Sequence, residues 1–169
     1  MSESNVVVIL NFEEAHAAAI IGLRRELKNQ WQAAPDLTPP PSGQRDGYEN
    51  HIRGAMAELA VAKWAGSWWS GLATDARERA IDVTPNIETR HARHGGPFYV
   101  KSRDPNTVSG TEDPIRMVWV TGGPRTFRLE GWAFVRDCKR PEWQAFAGVY
   151  AVPQNQTQPM QAWHNGKTP

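Results

Sequence analysis

From Asp82 to Lys101 the chain alternates charged with apolar or β-branched residues and is broken twice by turn chemistry. A sheet satisfies that pattern and a helix does not. Ala80-Ile-Asp82-Val83 reads as a short strand, and Thr84-Pro-Asn86 as a turn, because proline fixes φ and asparagine tolerates unusual backbone angles. Ile87 and Thr89 then share one face of an extended run, with Glu88 and Arg90 on the other. Gly95-Gly-Pro97 turns the chain again into Phe98–Lys101. A carboxylate and a guanidinium therefore lie side by side, and Asp82 joins them if the first strand pairs with the second. Two acids and a cation at strand ends suit a divalent metal and a phosphate. A salt-bridged, solvated hairpin is the plainer alternative.

The length of 169 residues fits one domain: a strand and helix through 34, a proline-rich linker over 35–47, a core over 48–153 and an irregular tail over 154–169. The net charge of +1 creates no global field for nucleic acid or membrane. Locally, Arg77, Arg79, Arg90, Arg93, Lys101 and Arg103 outnumber Glu78, Asp82 and Glu88, a balance that suits a phosphate backbone. Cys138 is the lone cysteine; it excludes an internal disulfide and a cysteine-built zinc site and fits a reducing cytoplasm. Val6–Leu10 is too short for a signal peptide or membrane span. Of the eight tryptophans, most should pack in the core, with Trp64, Trp68 and Trp69 as interface candidates.

After a strand at Val6–Leu10, Asn11 with Glu14 forms a capping-box variant at the start of a helix over Phe12–Gln32. Ile20, Leu23, Leu27 and Trp31 form its apolar stripe, and Arg24, Arg25 and Lys28 near its end complement the helix dipole. A second helix over Gly47–Ala65 stops at Gly66 and buries Ile52, Ala55, Met56, Leu59 and Ala62. Glu58 lies at the edge of that stripe among small neighbours, so another element can approach it. His91 and His94 have metal-compatible spacing but sit at a hairpin tip without a third ligand. Further strands are expected at Arg116–Thr121, Thr126–Arg136 and Val149–Val152, with a loop at Asp104–Pro114 and a short helix within Asp137–Phe146. In the longest strand, Phe127, Leu129, Ala133 and Val135 form one face, and Gly131 marks a bulge. The chain is thus α/β with α+β character: a mixed central β-sheet flanked by two N-terminal helices.

The order helix acid, strand aspartate, then Glu-x-basic resembles the PD-(D/E)xK nuclease superfamily, the restriction-endonuclease-like fold, over Gly47 to about Val120. Gly54-Ala-Met-Ala-Glu58, Ile81-Asp82-Val, Ile87-Glu88-Thr-Arg90, Gly131-Trp and Val152-Pro-Gln154 also resemble uncharacterised small phage and prophage proteins. The resemblance implies Mg²⁺- or Mn²⁺-dependent hydrolysis of DNA phosphodiester bonds in the cytoplasm of a bacterial host. It makes Asp82, Glu88, the Thr89 carbonyl and Glu58 metal ligands, and puts Arg90 where the family has lysine, with Lys101 as a displaced ammonium. Arginine cannot act as a general base at ordinary pH. A second reading is therefore an inactive module of the same fold that binds DNA or a host protein. The five residues between Asp82 and Glu88 demand a tight hairpin, and the loop at Asp104–Pro114 replaces a helix usual in the family.

Overall fold

The computed structural model describes residues 6–32, 47–71, 81–92 and 96–163. The linker, Arg77, Arg79, Ala80, Arg93, His94 and the last six tail residues lie outside them.

Strand β1 (Val6–Ile9) leads directly into helix α1 (Phe12–Gln32). The capping box closes this junction: Asn11 N–H donates to Glu14 Oε2 and Glu14 N–H to Asn11 Oδ1, both at 2.8 Å. Helix α2 (Gly47–Ala65) ends at Gly66, whose φ of +61° is the left-handed stop that glycine adopts without strain. Lys63 of α2 reaches Glu14 at 2.8 Å and the Ile9 carbonyl at 3.0 Å, tying both helices to β1.

The expected stripe of α1 is on the wrong side. Ile20, Leu23, Leu27 and Trp31 are between 41 % and 91 % exposed. The buried positions are Ala18 and Gly22, with Ala15, Ala19 and Ile21 partly covered. The reason is steric: α1 packs chiefly on α2 rather than on the sheet. A Cβ at Gly22 would collide with the Ile52 Cα and the His51 carbonyl. Small residues let the helices close, whereas leucines there would hold them apart.

Behind the helices lies a four-stranded mixed sheet in the order β1-β5-β4-β2. It comprises β2 (Ile87–His91), β4 (Arg116–Gly122) and β5 (Thr126–Phe134) with β1. β2 runs parallel to β4, and the other pairs are antiparallel. A second sheet, β3-β7-β6, covers the far face; it is built from β3 (Phe98–Lys101), β6 (Gln144–Phe146) and β7 (Val149–Val152). β4 is buried from both sides, as a run of apolar residues allows. Val118 and Val120 face the helix layer, while Met117 and Trp119 face the second sheet, where Trp119 stacks on Phe98 at 5.1 Å.

The bulge falls where Gly131 suggested. Trp119 pairs with Gly131 and Val120 with Leu129, so Glu130 is the extra residue. The expected single face Phe127–Leu129–Ala133–Val135 is thereby split. Phe127 and Leu129 stay in the helix-side core, and Ala133 and Val135 cross to the other. Trp132 comes round to the helix side in their place.

One other expectation is corrected and two are made more specific. Ile81–Val83 forms no strand, only isolated bridges from Val83 to Trp69 and Ile87. In place of a short helix, Val135–Cys138 and Pro141–Trp143 are 3₁₀ turns, and β6 follows them. The described tail is packed, with Met160 buried and Trp132 bridged to Gln158 through both backbone groups.

Gly22→Ala should lower unfolding free energy by about 1–3 kcal/mol, because backbone atoms of α2 cannot yield to a new methyl. Urea unfolding measures it; an unchanged midpoint would contradict the close crossing.

Candidate functional site

The turn after Asp82 is as tight as its sequence spacing requires. Val83 and Ile87 exchange backbone hydrogen bonds of 3.1 and 3.0 Å around Thr84–Asn86. Among the described residues β2 is an edge strand, and no described strand pairs with its outward N–H groups. Asp82 supplies the substitute: its Oδ2 accepts the Thr89 N–H at 2.9 Å. In an extended strand a residue's N–H and C=O point to the same edge, so the Thr89 carbonyl also faces the Asp82 side.

Residues from both faces of the sheet converge around this open edge. Glu88 and Arg90 lie on the face that β4 presents to the second sheet, since they pair with Met117 and Trp119. Glu58 arrives from α2 on the other face. Asp82, Glu88, Thr89, Arg90 and Glu58 line one cavity of about 470 Å³. Arg25 and Lys28 of α1 close its upper wall.

The acids differ sharply in state. Both oxygens of Glu58 are held by Arg25, at 2.6 and 2.8 Å, and the Trp69 indole donates to Oε2 at 3.1 Å. Burial raises the Asp82 pKa well above the carboxylate range, and the charges of Glu58 and Glu88 raise it further; the Thr89 N–H and Arg25 oppose them. Burial likewise pushes Glu88 up to about 7, with Asp104 and Glu58 adding to it. Arg90 and a hydrogen bond with Asp82 pull Glu88 the other way. Burial and their mutual charge thus disfavour ionising Asp82 and Glu88 together.

Arg90 does not lie open beside Glu88. Its guanidinium donates to Asp104 Oδ1 at 2.6 Å, and Asp104 Oδ2 accepts the Lys101 N–H at 2.8 Å. Lys101 is not on a strand adjacent to β2; β3 pairs with β7 in the second sheet, and Lys101 is outside the cavity lining. Burial, then the charges of Arg90 and Arg103, lower its ammonium pKa. His91 is bonded to the Gly122 carbonyl at 2.9 Å. Trp68 is exposed, but Trp64 and Trp69 pack against the core.

Two residues of this site carried no sequence signal. Arg25 looked like a dipole-complementing base, yet it reaches 33 positions along the chain to Glu58. Asp104 looked like the start of a loop, yet it is buried and orients Arg90.

Among the described residues no three His, Cys, Asp or Glu side chains form a metal-holding group. Mg²⁺ is often held by one or two carboxylates and keeps several waters. Asp82, Glu88 and the Thr89 carbonyl are hard oxygen donors of that kind. Thr89 Oγ1 on the same cavity wall is buried without a partner. The donor set fits a hard divalent cation.

No protein-family model, curated protein or solved structure matches this chain. Among the described residues no helix is long and apolar enough to cross a membrane.

Asp82 and Glu88 bind their protons more tightly folded than unfolded. Without a divalent cation, stability should therefore fall as pH rises from the ordinary carboxylate range through about 7. For Glu88 the full loss is about 3 kcal/mol. Glu88→Gln should flatten the dependence, as followed by denaturant unfolding at several pH values; an equal slope in the variant would refute the assignment.

Proposed function

We propose that this cavity is a Mg²⁺- or Mn²⁺-dependent centre for hydrolysing DNA phosphodiester bonds, in a small phage-related protein of the bacterial cytoplasm. The observation that carries the reading is the meeting of Asp82, Glu88, Thr89 and Arg90 around the free edge of β2, with Glu58 behind them. The order of these residues along the chain is that of the PD-(D/E)xK superfamily. The parallel β2–β4 pair supports such a core, although the connection runs through β3 and a helix-free loop.

A cation held here would supply Lewis acidity for the phosphate and for an attacking water. Asp82 and Glu88 would hold it once both are ionised. The Thr89 N–H keeps Asp82 Oδ2 oriented, leaving its other oxygen for the cavity. Glu58, locked by Arg25, acts as a fixed negative charge behind Asp82 rather than as a direct ligand. Arg90, steadied by Asp104, offers its remaining N–H groups to a phosphoryl oxygen. Lys28 on the wall, with Lys101 and Arg103 beyond Arg90, provides positive charge for the flanking backbone.

One feature favours the second reading, a nuclease-fold module that binds DNA or a host protein without cleaving it. Arg90 cannot take a proton from water, and among the described residues the lysine that lines the cavity is Lys28 on α1.

Nicking of supercoiled plasmid with Mg²⁺ or Mn²⁺, alongside calorimetric metal titration, separates the readings. The enzyme should nick DNA and take up metal, more strongly at pH 8 than at pH 6, since metal binding needs both carboxyls ionised. Asp82→Asn and Glu88→Gln should abolish both, and Arg90→Ala should slow nicking by about 10²-fold or more. DNA binding without metal uptake or nicking would establish the module instead.

A further inference from the structure

A second cavity, of about 480 Å³, shares no lining residue with the acid site. Its core is Arg116, only 6 % exposed, at the start of β4. The guanidinium carbon lies 4.8 Å from the Trp163 ring centre, 5.7 Å from Trp132 and 5.6 Å from Phe134. Its side chain makes one long hydrogen bond, to Asn86 Oδ1 at 3.4 Å, and no described acid pairs with it. Buried charges are normally paired, and a guanidinium carries five donors. The neighbouring Trp132 Nε1 is also buried without a partner.

The rest of the wall extends this chemistry. Arg140 stacks on Trp143 at 4.5 Å and is exposed at the rim. The side-chain amides of Gln156 and Gln158 border the cavity and make no hydrogen bond among the described residues. The rim carboxylate, Asp137, is turned toward Arg136, with 3.6 Å between them. A suitable occupant therefore brings an anionic oxygen group for the arginines, a flat ring for the aromatic walls and polar ring edges for the amides. The volume is within the usual range of small-ligand sites.

We propose that this cavity binds a nucleoside phosphate, with its ring against the Trp132–Phe134–Trp163 wall and its phosphate on Arg116 and Arg140. The site is independent of the acid cavity and requires no divalent cation. A free nucleotide and the end of a single strand share this chemistry; stacking and phosphate contact serve both.

The test follows the indole N–H signals of the full-length protein by NMR, with a chelator present. Deoxyadenosine monophosphate should shift the Trp132 and Trp163 signals saturably at up to millimolar concentration, and leave Trp69 unmoved. Adenosine and inorganic phosphate should each bind about tenfold more weakly or worse. Arg140→Ala, at an exposed position, should weaken binding several-fold with the fold intact, and Arg116→Gln should abolish it where circular dichroism shows a folded protein. A short oligodeoxyadenylate binding more than about tenfold tighter than the monomer identifies a strand end as the ligand; equal affinity identifies the free nucleotide. The proposal is overturned if no probe gives a saturable shift, if phosphate alone binds as tightly as the nucleotide, or if Arg140→Ala leaves the affinity unchanged.

Discussion

The Asp82 carboxylate does for β2 what a neighbouring strand would do. Among the described residues β2 ends the central sheet, and its outward Thr89 N–H finds its partner in Asp82. Accepting that N–H anchors Asp82 at 2.9 Å, but in surroundings that disfavour its charge. Glu88 and Glu58 add their own fields, so the pocket accumulates negative potential that the described side chains only partly offset. Arg25 neutralises Glu58, and Asp104 occupies Arg90. What is left is a buried carboxyl pair whose joint ionisation is disfavoured, the condition that a cation would relieve.

The two helices serve this edge by approaching closely. With Gly22 against the Ile52 backbone, α1 lies near enough for Arg25 to reach Glu58 in both branches. The cost is an exposed apolar row, Ile20, Leu23, Leu27 and Trp31, on the outer side of α1. Helical periodicity identifies such a row but carries no information on which side of the helix the partner will occupy.

The two cavities are linked through Asn86. It closes the turn that carries Asp82 into β2; its carbonyl accepts the Arg116 N–H at 2.9 Å and its amide donates to the Pro114 carbonyl at 2.8 Å. The aromatic wall around Arg116 depends in turn on the bulge at Glu130. Without that extra residue, Trp132 and Phe134 would face the second sheet, and Arg116 would have no rings around it. A Cβ at Gly131 would come within 2.6 Å of Thr157 Oγ1, so glycine also lets the tail strap close over the strand.

Much of the framework was legible along the chain because its causes are local. The Asn11–Glu14 box, the stop at Gly66 and the tight turn after Asp82 depend on residues a few positions apart, and each stands where the chain's own chemistry places it. The alternation in β2 likewise put Glu88 and Arg90 on one face. Other features arise between distant segments. The Arg25–Glu58 pair spans 33 positions, the Arg90–Asp104 pair joins two sheets, and the burial that raises Asp82 and Glu88 comes from packing around the edge strand. Desolvation and long-range ion pairs depend on which surfaces meet, and that is decided only when the helix layer and both sheets close on β4.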